Sequence, residues 1–185
     1  MQAVQTNYYD APDRGLPGQL FNASSDFGNA IFSGATTENL YCGRAVALAT
    51  NADDFDGSLA LKTVSGITDA AEIAGILRLD AQAIADIDGD VYVQSKTMAT
   101  FARANRGALI YVKADMSATI AAGDDVYVAT NATNDQGIKL GEFTNTAGTG
   151  LLKTNFKYYS GNGKGKMAII ELVDVIVPAE NGGDE

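Results

Sequence analysis

The acidic stretch DIDGDVYV, which begins at Asp86, contains the carboxylates whose spacing comes nearest to a metal site in this sequence. Asp86, Asp88 and Asp90 occupy alternate positions, as the first ligands of an EF-hand calcium loop do. That loop also requires a glycine at its sixth position and a glutamate at its twelfth, where this sequence has Val91 and Thr97. We therefore predict no metal ion and no other cofactor, with calcium binding in a different geometry as the alternative.

A second acidic stretch, AAGDDVYV, begins at Ala121 and again places a turn-like sequence before the residues Val-Tyr-Val. We interpret both stretches as turns that lead into strands, because glycine adopts positive φ angles and aspartate bonds to its own backbone. Catalysis by paired carboxylates needs two acids held opposite each other. No spacing among the 23 Asp and Glu residues favours such a pair. The chain is predicted not to be an enzyme, with a carboxylate-dependent hydrolase as a minor alternative.

The sequence has no histidine and a single cysteine, Cys42. The lack of histidine excludes Ser-His-Asp and Cys-His catalysis and zinc sites that use histidine ligands. One cysteine cannot form an internal disulfide or a cysteine-rich metal site. We interpret Cys42 as a buried small apolar residue, which is the usual role of a free cysteine.

The charge of the chain is strongly acidic, with 13 Lys and Arg against 23 Asp and Glu and a net charge of −10. Nucleic-acid binders need clustered basic residues, and an acidic surface is repelled by anionic lipids. We predict neither nucleic acid nor membrane as a partner. The first residues, MQAVQTNYYDAPDRG, lack the basic and then apolar layout of a signal peptide. We therefore expect assembly in a cytosol.

Short segments rich in Val, Ile, Tyr and Thr, separated by Gly, Asn, Asp and Ser, predict a mainly β fold, either a small sandwich or a barrel. Residues 72–79 are predicted as a strand and residues 81–87 as a loop or a short helix, while TMATFARAN fits a helix or a strand. The predicted strands are GRAVALAT, LALKTV, EIAGILRL, DVYVQS, ALIYVKA, DVYVAT, IKLGEFT, LKTNFKYYS and KMAIIELVDVIV.

The first 40 residues are broken by proline and glycine, which predicts a long irregular N-terminal arm rather than a helix. The arm is too apolar to be left free in water, so it needs its own domain or a neighbour to lie against. We divide the chain into this arm (1–40), a β-rich domain (41–177) and an acidic tail (178–185). The arm supplies the candidate interface residues, which are Tyr8, Tyr9, Leu16, Pro17, Leu20 and Phe21.

The order of the glycine-led segments resembles that of the capsid decoration, or structural cement, proteins of tailed bacteriophages. The segments are RGLPGQL, YCGRAVAL, EIAGIL, NRGALIYVK, MSATIAAGDDVYVAT, QGIKLGEFT and GKGKMAIIELV. The resemblance extends from about residue 14 to residue 173 and is weakest over residues 80–104.

This resemblance implies a β-tulip-like domain that forms homotrimers on the outside of a phage head. Such a protein would bind the major capsid protein after shell expansion, without catalysis, and stabilise the mature virion. It would be assembled in the cytoplasm of the bacterial host. The alternatives are a structural protein of the phage tail, neck or fibre, and a calcium- or carbohydrate-binding β-sandwich.

Overall fold

The computed structural model describes residues 15–21, 31–49, 60–103, 108–115, 118–161 and 167–172. Within these ranges the chain forms thirteen β-strands and one 3₁₀ turn (Ala70–Glu72), so the prediction of a mainly β fold is confirmed. The strands are β1 (Ile31–Thr36), β2 (Leu40–Tyr41), β3 (Ala45–Leu48), β4 (Ala60–Thr63), β5 (Ile73–Leu77), β6 (Ile84–Ala85), β7 (Val91–Val93), β8 (Met98–Arg103), β9 (Ala108–Lys113), β10 (Asp125–Ala129), β11 (Phe143–Thr144), β12 (Leu151–Ser160) and β13 (Met167–Leu172).

Five of the strands form a closed barrel in the order β1-β4-β3-β5-β8. β1 completes the barrel by pairing in parallel with β4 and antiparallel with β8. Side chains alternate along these strands: Val46, Leu61 and Phe101 belong to one hydrophobic cluster, whereas Ala45 and Ala47 belong to another. The first three residues of β3 are therefore buried on both faces of the strand, which explains why its sequence AVAL is apolar rather than alternating.

Gly75 is the residue that allows β5 to enter the barrel. A Cβ atom at this position would lie 2.0 Å from the carbonyl oxygen of Ala102, so no larger residue fits without a backbone shift. The register of β3 against β5 also shifts beside it. The glycine in the segment EIAGIL thus permits a close strand approach.

The second sheet has the order β11-β10-β12-β13-β9. Its inner face packs on the hydrophobic cluster that contains Ala45 and Ala47. Along β12, Thr154, Phe156 and Tyr158 are buried, while the residues between them face outward. The two edges of this sheet meet where Ala114 forms a parallel bridge with Phe143. A third sheet, β2-β7-β6, contributes buried side chains to the hydrophobic cluster that contains Val46, Leu61 and Phe101.

Each of the nine predicted strand segments contains a strand, and TMATFARAN proves to be β8. The loop or short helix predicted for residues 81–87 is wrong in part, because residues 84–85 form β6 by pairing with β7. β1 was not predicted; it lies within the range assigned to the arm, and it pairs within the barrel. The boundaries of arm, domain and tail stay predictions. No helix in the described ranges is long and apolar enough to cross a membrane.

Candidate interaction surface

Residues 15–21, which we call the edge segment, lie along β9 and continue the second sheet beyond its last strand. Leu20 forms an antiparallel bridge with Ile110 and packs against the hydrophobic cluster beneath the sheet. The backbone bonds that hold the segment run from Gly18 N to Tyr111 O (2.8 Å), from Tyr111 N to Gln19 O (2.9 Å) and from Phe21 N to Leu109 O (2.8 Å).

Gly18 lets the edge segment pass between β9 and the end of β5. Its φ angle is +82°, and a Cβ atom there would lie 2.7 Å from both Leu77 O and Leu79 N. The Leu79 N–H donates to Gly18 O at 3.0 Å. Pro17 lies against Gly43, where an added Cβ would come within 2.6 Å of the proline Cβ. The PG pair thus fixes this segment on its own domain.

The candidate interface residues divide into two groups in the structure. Leu16 and Phe21 are 55% and 46% exposed, whereas Pro17 and Leu20 are half-buried against the domain. Tyr8 and Tyr9 lie outside the described residues. The edge segment therefore presents two large apolar side chains to solvent.

Phe21 forms an aromatic patch with Tyr111 of β9 and Tyr159 of β12. The Phe21 ring centroid lies 5.7 Å from that of Tyr111 and 5.9 Å from that of Tyr159. Tyr159 is 51% exposed, although Tyr158 beside it is buried, because neighbouring residues in a strand face opposite sides. Tyr111 and Tyr159 were not among the predicted interface residues. The YY pair at the end of an alternating strand was the signal that one tyrosine would face outward.

The stretch DIDGD forms a turn, as interpreted from the sequence. Asp86 Oδ1 accepts hydrogen bonds from Asp88 N–H (3.0 Å) and Asp90 N–H (2.8 Å), and Gly89 has a φ angle of +82°. No group of three or more Asp, Glu or Cys in the described part of the chain could hold a metal ion. The carboxylates of Asp86 and Asp90 are thus bound by the protein itself.

Asp90 is the centre of an ion-pair cluster that joins the three sheets. Its carboxylate binds Arg44 Nη2 at 3.0 Å, Lys139 Nζ at 3.0 Å and also Lys113 Nζ. Arg44 Nη2 lies 3.1 Å from Glu142 Oε1, and the side chains of Arg44, Asp90 and Glu142 are each only 10% exposed. Burial raises the pKa of Asp90, but hydrogen bonds from Lys113 and Lys139 outweigh burial and hold the pKa below its usual range.

Asp125 forms a second cluster on the outer face of the second sheet. Its partners are Lys153, at 2.6 Å, and Lys157, which both belong to the adjacent strand β12. Hydrogen bonds from Lys153 and Lys157 lower the pKa of Asp125 from 3.8 to about 2. This cluster and the aromatic patch both lie on the outward side of β12.

Cys42 is buried and its thiol donates to Arg78 O at 3.4 Å, which confirms the prediction of a buried apolar role. Burial, with the nearby charge of Asp80, raises the pKa of the Cys42 thiol to about 12. A thiol with such a pKa is almost wholly protonated at neutral pH and is a poor nucleophile.

The family described as "Structural cement protein (E217 gp24/Pam3 gp6)" matches residues 4–173 of this chain. Four chains in solved structures also match. One of them, from "The capsid of Myoviridae Phage XM1", is 18% identical, and the alignment covers 94% of this chain and 99% of that chain with a TM-score of 0.58. At that identity the likeness shows a shared fold. No curated protein matches.

Proposed function

Because the chain belongs to the family of phage structural cement proteins, it is a capsid-stabilising protein, and we propose that it binds the outside of the major capsid protein shell. The observation that carries the proposal is the family match over residues 4–173. The role of this family is structural, and we propose that the chain acts by binding alone, without catalysis.

The edge segment and the aromatic patch are the proposed contact with the shell. Leu16, Phe21 and Tyr159 present apolar area on a sheet surface that the paired backbone keeps rigid. A rigid surface loses little conformational entropy on binding, and aromatic residues are enriched at interfaces. Tyr8 and Tyr9 precede this segment and would extend the same contact, while Pro17 and Leu20 hold it on the domain.

We further propose that the protein is a homotrimer, located on the virion surface after assembly in the bacterial cytoplasm. Linked copies bind a shell more tightly than single copies, because the second contact occurs at a high effective concentration. The net charge of −10 favours a protein partner over nucleic acid or an anionic membrane. The mass of the purified chain in solution tests the trimer, and a monomer at micromolar concentration would contradict it.

The shell contact is tested with expanded heads from a phage that lacks this protein. The purified chain should co-sediment with the heads and raise their melting temperature. The proposal would be contradicted if the chain did not co-sediment with the heads and left their melting temperature unchanged. Binding to tails instead of heads would also contradict it.

The patch is tested by Phe21→Ser combined with Tyr159→Ser, which should weaken head binding at least tenfold. Met98→Ser changes an exposed apolar residue of the barrel and is the matched control. Circular dichroism and the melting temperature of each variant check that the fold is kept.

A further inference from the structure

The turn between β6 and β7 carries the most exposed large apolar side chain of the described residues. Ile87 is completely exposed at 102%, while every other exposed large apolar residue is at most 55% exposed. Ile84, three positions earlier, is also exposed. We call residues 80–93 the acidic hairpin. Singly exposed isoleucines are common on protein surfaces, but Ile87 lies in a hydrogen-bonded turn between two aspartates.

The acidic hairpin holds Ile87 in place rather than leaving it on a loose loop. Asp86 receives two backbone hydrogen bonds from across the turn, and Asp86 N–H donates to Asp90 O at 2.8 Å. Asp90 is itself fixed by Arg44, Lys113 and Lys139. Little conformational entropy is lost when such a tip is bound, because it is already ordered.

The charge around the two isoleucines defines what kind of partner fits. Asp80, Asp86 and Asp88 lie on the hairpin, and the sequence has no Lys or Arg between Arg78 and Lys96. The cations at the base of the hairpin are already bound by Asp90 and Glu142. Two acidic hairpins would repel each other, so a contact between the hairpins of two copies does not fit this surface.

We infer that the acidic hairpin is a second docking contact, in which Ile87 and Ile84 enter an apolar pocket rimmed by Lys or Arg side chains. This inference rests on the proposed function, and it assigns the pocket to the shell protein. Burial of the isoleucines supplies affinity, whereas Asp88, which is exposed, and its neighbours supply orientation and a salt-dependent association rate.

The test compares head binding of four full-length proteins: the wild type, Ile87→Ser, Asp88→Asn and the control Met98→Ser. Ile87→Ser should weaken binding about tenfold or more with an unchanged melting temperature, because the side chain makes no packing contact to lose. Asp88→Asn should slow association and reduce its dependence on NaCl concentration. Met98→Ser should bind as the wild type does.

The outcomes separate this inference from the function on which it rests. If the wild type binds heads and Ile87→Ser binds equally well, the docking contact is wrong and the proposed function stands. Suppose that Ile87→Ser loses binding, but the association rate of Asp88→Asn depends on NaCl concentration as strongly as that of the wild type. The apolar contact then stands, and the basic rim of the pocket is wrong. If the wild type does not bind heads, the proposed function fails and the inference fails with it.

Discussion

Two aspartates in this chain precede the same three residues, Val-Tyr-Val, and both bind lysine side chains, yet their surroundings differ. Asp90 is 10% exposed and its partners come from separate parts of the chain, 23, 46 and 49 residues away. Asp125 is 35% exposed, and both of its partners lie on the neighbouring strand. An ion pair in water contributes little, whereas breaking a buried pair leaves an uncompensated charge. The same local sequence therefore forms a buried ion-pair cluster between distant parts of the chain in one place. In the other place it forms an exposed cluster between two adjacent strands.

The largest difference is expected on removing each aspartate. Asp90→Ala removes one of the two carboxylates that bind the buried Arg44 side chain. The free energy of unfolding should fall by about 3 kcal/mol. Asp125→Ala exposes Lys153 and Lys157 only to water, so the same measurement should change little. Urea unfolding followed by circular dichroism measures both. Equal losses in the two variants would mean that burial does not distinguish the clusters.

A smaller effect is expected within the buried cluster. Glu142 accepts from Arg44 Nη2 through Oε1 and from Lys139 N–H through Oε2, and Glu142→Gln removes the charge while keeping one acceptor. The free energy of unfolding should fall by about 1.5 kcal/mol. Glu38→Gln is the matched control, because Glu38 also accepts a backbone N–H, from Thr63, at an exposed site. A control loss as large as that of Glu142→Gln would contradict the assigned importance of the cluster.

The smallest effect concerns salt and pH. Both carboxyls have lowered pKa values in the folded chain, so each contributes stability above its unfolded pKa near 3.9 and loses it as the pH falls through its folded pKa. For Asp125 that window lies between about pH 4 and pH 2. At 1 M NaCl the pKa of Asp125 should rise toward 3.8, while that of Asp90 should stay low. Carboxyl ¹³C NMR titrations at low and high salt measure both, and parallel shifts would contradict the distinction.

The strands could be predicted because their signals are local. β9, β10 and β12 carry β-branched and aromatic residues bounded by glycine and aspartate, and these features survive in any fold that buries one face. β1 lacked such a signal: its sequence IFSGAT is small and polar in the middle, and pairing with β4 and β8 decides its conformation. β6 is likewise defined by its partner rather than by its own two residues.

The candidate sites show the same limit. The turn at Asp86 was predictable from aspartate and glycine alone, since its hydrogen bonds span four residues. The role of Asp90 was not, because nothing in the sequence relates it to Arg44 or Lys139 before the chain is folded. The prediction that Leu16 and Phe21 belong to an interface stays a prediction. Both side chains are exposed and are therefore accessible to a partner.

The covered edge of β9 has a consequence for how many copies can be packed side by side. On a capsid the local protein concentration is very high, and open strand edges at such concentrations pair with one another and polymerise. In the part of this chain that the structure describes, the edge segment pairs with Leu109 and Tyr111, and Phe143 closes the end of β9 at Ala114. The edge strands of the third sheet, β2 and β6, are each only two residues long. Among the described residues, copies held side by side would therefore meet no long open strand edge that could act as a template for fibre growth.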